Sequence, residues 1–104
     1  MTELPKPYRQ FQAQFPEVAR AYDALGEAAH GGGPLDERTR RLVKLAMAIA
    51  GGHEGAVHAQ TRRALESGVT SAEIYHVLLL ALTSLGFPAT VAAYTWVKDI
   101  LPGE

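Results

Sequence analysis

The sequence predicts an all-α protein, because apolar residues recur at spacings of three and four and no segment keeps the alternation typical of a strand. Glycine and proline separate the apolar stretches into about six helices joined by short loops. The 104 residues, 47% of them hydrophobic, suit one domain with a small core, and we expect that domain to span residues 1–104. A helical chain of this size gains further burial by associating with copies of itself.

Residues 1–34 predict an N-terminal arm followed by two helices. The arm is polar and irregular over residues 1–7. Pro16 suits the first turn of the second helix, because the N–H that proline lacks has no helical partner there. That helix ends before the glycine run at residues 31–33. The first helix is indicated by three aromatic residues on one face: Tyr8, Phe11 and Phe15.

The third and fourth helices are separated by a pair of glycines. Asp36 is a good N-cap for the third helix, and the Glu37 carboxylate favours the positive end of the helix dipole. Gly51 and Gly52 end this helix, and the fourth runs over about residues 54–67. The buried stripe of the third helix is expected to contain Leu42, Leu45, Ala46 and Ile49.

The fifth helix begins with a capping box, in which Thr70 is the N-cap and Glu73 is the third helical residue. Gly86 ends it, and Pro88 opens a last helix to about Leu101. Apolar residues surround most of the fifth helix, so it is either central or at a subunit interface. Its main stripe contains Ile74, Val77, Leu78, Ala81, Leu82 and Leu85, with Leu79 and Leu80 outside that stripe.

Composition excludes several classes of function. The net charge of -1 lacks the basic footprint of a nucleic-acid binder. No apolar run is long enough to span a membrane and no signal peptide is visible, so we expect a cytoplasmic protein. The chain has no cysteine, which excludes thiolate metal sites, cysteine nucleophiles and dithiol redox chemistry. No glycine-rich phosphate-binding motif occurs, and we expect no cofactor.

Polar side chains able to do chemistry are concentrated at the start of the fourth helix. At 100° per residue, His53 and Gln60 share its buried face, and His58 lies at the edge of the core. With Glu54, these residues are the candidate catalytic groups. They also fit ordinary structural roles, with His53 as an N-cap-like residue, His58 at the boundary of the core and Gln60 bonded to the backbone.

A zinc site built on both histidines is not expected. His53 and His58 are five residues apart, which places them about 140° apart around a helix, whereas the zinc-protease motif needs a spacing of four. Among the basic residues of the third helix, Arg41 lies nearest the edge of the apolar stripe. Its side chain either faces a shared cleft or belongs to a solvated face.

Three segments resemble the carboxymuconolactone decarboxylase family, which shares its fold with alkylhydroperoxidase D. They are residues 35–46 (LDERTRRLVKLA), the segment at His53, and residues 63–74 (RALESGVTSAEI); residues 78–89 fit the same pattern. The resemblance extends over about residues 35–101, which places the core of the domain there. It implies an all-helical subunit that assembles as a homotrimer or homohexamer.

The peroxidase activity of this fold does not follow from the resemblance. Peroxidase-type members carry a Cys-x-x-Cys-x-x-x-His motif with a glutamate twelve residues upstream. Counting back from the glycine that follows this motif places the cysteines at His53 and Ala56, the histidine at Gln60 and the glutamate at Arg41. A thiolate is the reactive species in that mechanism, so the chain is not a thiol peroxidase of this type.

Three hypotheses about function remain. The first is an unassigned small-molecule activity in a cleft between subunits, lined by the four candidate catalytic residues. The second is a decarboxylase-like lyase on an anionic ring compound, with a histidine as general acid or base and Arg41 or Arg62 binding the substrate carboxylate. Gln60 stands where the final histidine of the decarboxylase pattern would be, which counts against this hypothesis. The third is a non-enzymatic oligomeric scaffold or binding protein, favoured if His53 and His58 are exposed.

Overall fold

The computed structural model describes residues 4–103, and over these residues the chain is all helical, as predicted. Its six helices are α1 (Lys6–Gln14), α2 (Pro16–His30), α3 (Glu37–Gly51), α4 (Glu54–Glu66), α5 (Ser71–Leu85) and α6 (Phe87–Lys98). They form two compact units, one with α1 and α2 up to Pro34 and one with α3 to α6 from Leu35 onward. The expectation of a single domain over residues 1–104 stays a prediction.

The first unit is a pair of helices joined at one residue. The backbone N–H of Phe15 donates to the carbonyl of Phe11 at 2.8 Å, and Pro16 opens α2 as predicted. The rings of these two phenylalanines lie 5.2 Å apart between centroids. The predicted arm is shorter than expected, because α1 begins at Lys6; residues 1–3 of that arm lie outside the described residues.

The predicted helix starts of the second unit are confirmed. The Thr39 backbone N–H donates to the Asp36 carboxylate at 2.8 Å, which caps α3. The Glu73 backbone N–H donates to the Thr70 hydroxyl at 3.2 Å, and the Thr70 N–H donates to the Glu73 carboxylate at 2.8 Å. This reciprocal pair is the capping box of α5.

Two glycines hold backbone conformations that other residues rarely adopt. Gly52 caps α3 with φ +69° and ψ +26°, which is the left-handed helical region. Gly86 has φ +94° and ψ +166°, a region essentially restricted to glycine, and it is the single residue between α5 and α6. Both helix ends are therefore set by glycine, as the sequence indicates.

The core of the second unit lies among all four of its helices, with α3 packed on α4 and α5, and α6 packed on the same two. Of the predicted α3 stripe, Leu42 is only half-buried and Ala46 is exposed. The prediction that Ala46 belongs to the core is wrong, because this residue faces a groove between α3 and α5. The buried apolar residues are Leu45, Ile49, Val57, Ala64, Val69, Ile74, Leu78, Ala93, Val97 and Leu101.

The helix α5 is not central in the single chain. It buries Ile74 and Leu78, whereas Leu79 and Leu80 are 65% and 61% exposed. The helix α6 ends at Lys98, three residues before the predicted end. Leu101 is nevertheless buried, because its backbone N–H donates to the Val97 carbonyl and continues the turn.

Candidate functional site

The candidate segment lies at the start of α4, directly after the glycine break that ends α3. His53 occupies the N-cap position with extended backbone angles, and its side chain is exposed and makes no capping hydrogen bond. Val57 and Ala64 are fully buried, as 100° per residue predicts. The prediction that His53 shares this buried face is wrong, because His53 precedes the first helical turn in an extended conformation and is exposed. The orientation of α4 therefore places its polar residues on the two flanks of a buried stripe.

His58 lies on the flank of α4 that packs on α6. Its Nε2 atom lies 3.0 Å from Oδ2 of Asp99 and 3.9 Å from Oε2 of Glu54. The His58 side chain is only 23% exposed, whereas both carboxylates are more than half exposed. An imidazole held against carboxylates is an arrangement that can transfer protons or bind a cation.

Asp99 is a site residue that the sequence reasoning missed. It follows α6 and lies 41 residues from His58 in the chain, so no local motif connects the two. The contact arises from the packing of α4 on α6. The spacing of four between Glu54 and His58 is the only part of this cluster with a signal in the sequence, because it places both side chains on one helix face.

Gln60 lies on the opposite flank of α4, since two residues rotate the helix by about 200°. It is half-buried, and its Oε1 atom is buried with no hydrogen-bond partner among the described residues. The structural alternative, in which Gln60 is bonded to the backbone, therefore finds no support at this oxygen. A buried acceptor without a partner costs about 1–3 kcal/mol, so this oxygen is suited to a donor from outside the chain.

Arg41 is held in place within the second unit. Its Nε donates to the Glu37 carboxylate at 2.9 Å, and the Ser67 hydroxyl donates to the same carboxylate oxygen at 3.0 Å. The Arg41 side chain is only 17% exposed, in agreement with its predicted place at the edge of the apolar stripe. Arg62 is half-buried on α4.

The sequence-predicted site residues are thus not gathered in one pocket of the single chain. Glu54 and His58 meet Asp99 on one flank of α4, Gln60 lies on the other flank, and His53 is exposed at the helix start.

A groove between α3 and α5 is a second feature that the sequence reasoning missed. It has a volume of about 540 Å³, within the range of small-molecule sites. The sequence offered no signal for it, because its apolar lining residues are indistinguishable from core residues by spacing. The lining is mostly apolar and includes none of the candidate residues. Its apolar residues are Leu42, Val43, Ala46, Ala50, Val77, Leu80, Ala81 and Leu85, and its polar residues are Glu73, His76 and Ser84.

One end of this groove carries an ion pair between α3 and α5. Arg38 donates to the Glu73 carboxylate through Nε at 3.2 Å and through Nη2, and its Nη1 donates to the Gly68 carbonyl at 3.0 Å. The hydrogen bond from Arg38, with the Thr70 backbone N–H, lowers the pKa of Glu73 to about 2. The same bond raises the pKa of Arg38. This ion pair connects α3 to α5 at that end of the groove.

None of the helices within residues 4–103 combines the length and the apolar character that crossing a membrane requires.

One family model and several known proteins match this chain. Residues 16–99 match the model of the carboxymuconolactone decarboxylase family. An uncharacterised protein of Methanocaldococcus jannaschii is 33% identical over 85 residues, which cover 82% of this chain and 79% of that protein. An uncharacterised protein of Haemophilus influenzae is 35% identical over 63 residues, which cover 61% of this chain and 56% of that protein.

A solved structure has the same fold. The apo form of a carboxymuconolactone decarboxylase family protein from Legionella pneumophila superimposes with a TM-score of 0.78 at 23% sequence identity. The superposition covers 90% of this chain and 84% of that one. At this identity the likeness concerns the fold alone.

Proposed function

Because the chain belongs to the carboxymuconolactone decarboxylase family, we propose that it is a homo-oligomeric protein that binds a small molecule where copies of the chain meet. Its chemistry is independent of thiols, since the chain has no cysteine. The assembly is a trimer or a hexamer, as the resemblance to this family implies.

The observation that carries this proposal is the exposed apolar surface of the second unit. Met47 on α3, Leu79 and Leu80 on α5, and Phe87 at the start of α6 are each more than 60% exposed. Large apolar side chains left this exposed are typical of a protein interface, because burying them removes about 25 cal/mol per Å² of unfavourable hydration. The groove between α3 and α5 adjoins Leu80, so a neighbouring copy on this surface would enclose it further.

The proposed assembly also supplies what the single chain lacks at the candidate residues. His53 and Glu54 are exposed, and the Gln60 oxygen has no partner among residues 4–103. A donor from a ligand or a neighbouring copy would satisfy this oxygen. In this proposal, the candidate catalytic side chains are His53, Glu54, His58 and Gln60, and the candidate ligands for a substrate carboxylate are Arg41 and Arg62.

The test is the mass of the protein in solution by multi-angle light scattering. We expect three or six times the chain mass of 11.2 kDa. Leu80→Asp should lower the mass toward that of one chain while the helical circular dichroism is kept. Leu25→Asp is the matched control, because Leu25 is equally exposed but lies in the first unit, on α2. A monomeric wild type, or equal effects of both variants, would contradict the proposal.

A decarboxylase-like lyase is a second candidate, favoured by the distance of 3.0 Å between His58 and Asp99. A carboxylate at this distance orients an imidazole for general acid–base chemistry. The assay is the loss of carboxymuconolactone, the compound in the family's name, measured as release of CO₂. Wild-type turnover that His58→Gln abolishes would support this activity. An oligomer without turnover would favour the non-enzymatic scaffold or binding protein, in agreement with the exposure of His53.

A further inference from the structure

We propose that Glu54, His58 and Asp99 form a binding site for one divalent transition-metal ion, with Zn²⁺ as the best fit. Each side chain offers one ligand atom, and the three atoms lie within 4.8 Å of one another. The inference shares Glu54 and His58 with the proposed function but does not rest on it, because it uses neither the α3–α5 groove nor a second copy of the chain.

The distances between the donors are close to those of a zinc shell. Zinc binds nitrogen and oxygen at about 2.0–2.2 Å, so neighbouring donors of a tetrahedral site are separated by about 3.4 Å. The Nε2 atom of His58 lies 3.0 Å from the Asp99 oxygen and 3.9 Å from the Glu54 oxygen. These two distances bracket the required value, and the two carboxylate oxygens lie within 4.8 Å of each other, so the exposed Glu54 and Asp99 side chains would have to rotate to complete the arrangement.

A single proton on His58 cannot bridge both carboxylates of this cluster. Both carboxylates approach the same ring nitrogen of His58, and that nitrogen carries at most one proton, which it can donate to one main partner. A divalent cation in place of the proton would bind the imidazole and both carboxylates together. It would also lie between the two carboxylates, whose oxygen atoms are within 4.8 Å of each other.

The types of ligand select the metal. An imidazole with carboxylates suits zinc and its neighbours in the first transition row, whereas magnesium and calcium prefer sites made of oxygen alone. The imidazole is mostly covered by the packing of α4 on α6, and the carboxylates are exposed, so an ion has access from solvent. Three protein ligands would leave a fourth position for water.

This site differs from the arrangement that the sequence excludes. The sequence excludes a shared ion on His53 and His58 as a regular helical pair, because a spacing of five places two residues on different faces of a helix. The proposed site replaces the second histidine with Asp99 from the end of α6. That residue became available only through the tertiary packing.

The experiment is a calorimetric titration of the untagged full chain, freed of metal with EDTA, with Zn²⁺ at neutral pH. We expect one ion per chain. His58→Ala, Asp99→Asn and Glu54→Gln should each weaken binding by about 10-fold or more, in line with the loss of a ligand. The matched controls are His53→Ala and Glu66→Gln, which remove a histidine and a carboxylate from the same segment. Both controls should keep the wild-type affinity.

A spectroscopic measurement separates a defined site from loose surface binding. Co²⁺ in a site with one imidazole and two carboxylates should give a visible absorption spectrum that saturates at one ion per chain and is lost in His58→Ala. Circular dichroism should show that each variant keeps its helices. The proposal is overturned if zinc shows no saturable binding up to a 1 mM concentration, or if His58→Ala binds as tightly as His53→Ala.

Discussion

Two glycines that lie three residues apart should respond to alanine with opposite signs. Gly52 has a positive φ of 69°, and a Cβ atom there would meet no other atom within 4 Å, so only the backbone conformation resists substitution. A left-handed conformation costs an L-residue about 1–2 kcal/mol. The lower conformational entropy of alanine in the unfolded chain offsets this cost by about 0.4–1 kcal/mol of the free energy of unfolding. We therefore expect Gly52→Ala to lower the free energy of unfolding by about 1 kcal/mol.

Gly55 is the internal control for that value. It lies in the first turn of α4, it has no positive φ, and a Cβ atom at this position would also meet nothing within 4 Å. Alanine is favoured over glycine in helices by up to about 1 kcal/mol, so Gly55→Ala should raise the free energy of unfolding by about 0.5 kcal/mol. The two variants should thus differ by about 1.5 kcal/mol.

The assay is urea denaturation of both variants and the wild type at one protein concentration, followed by far-ultraviolet circular dichroism. The concentration is fixed because the association proposed above would contribute to apparent stability. The slope of the free energy against urea should be the same for all three proteins. Substitutions that shift the midpoint in the same direction would refute the reasoning, because steric freedom is equal at both positions and only φ differs.

Three further predictions concern the second unit. Leu45→Ala should lower the free energy of unfolding by about 2–5 kcal/mol, since this side chain is fully buried, and urea denaturation should show it. Asp36→Ala should cost about 1 kcal/mol through loss of the Thr39 cap, whereas Asp36→Ser should retain most of the stability. Because the pKa of Glu73 is depressed, its carboxylate stabilises the fold fully above its ordinary pKa of 4.5, and this stabilisation is lost as the pH falls through about 2. In Glu73→Gln, stability should therefore fall less steeply between these pH values. The measurement is melting temperature against pH. A decline as steep as that of the wild type would exclude the Glu73–Arg38 pair as the source of the pH dependence.

The helices and their caps were predictable because the signals are local. Asp36 and Thr70 each place an oxygen within reach of an N–H three residues away, and this geometry does not depend on the rest of the fold. The early end of α6 at Lys98 had no such signal, because Leu101 is buried in a turn just as it would be in a helix.

The candidate site was predictable only in part, because its contacts are between helices. The flank of α4 that carries His58 followed from helical rotation, but its partner Asp99 depends on how α6 packs. Ala46 has the size and hydrophobicity of a core residue, and only the positions of α3 and α5 show that it faces a groove. Periodicity locates the apolar side of a helix, but it does not say what covers that side.

The single glycine between α5 and α6 has a consequence for how copies of the chain can associate. Gly86 leaves no spare chain between the two helices, and its backbone occupies a region that other residues cannot readily enter. The exposed leucines before this joint and Phe87 after it therefore keep fixed relative directions. In the assembly proposed above, one rotation between neighbouring copies would repeat at every contact, and the assembly would close into a ring only where that rotation divides a full turn.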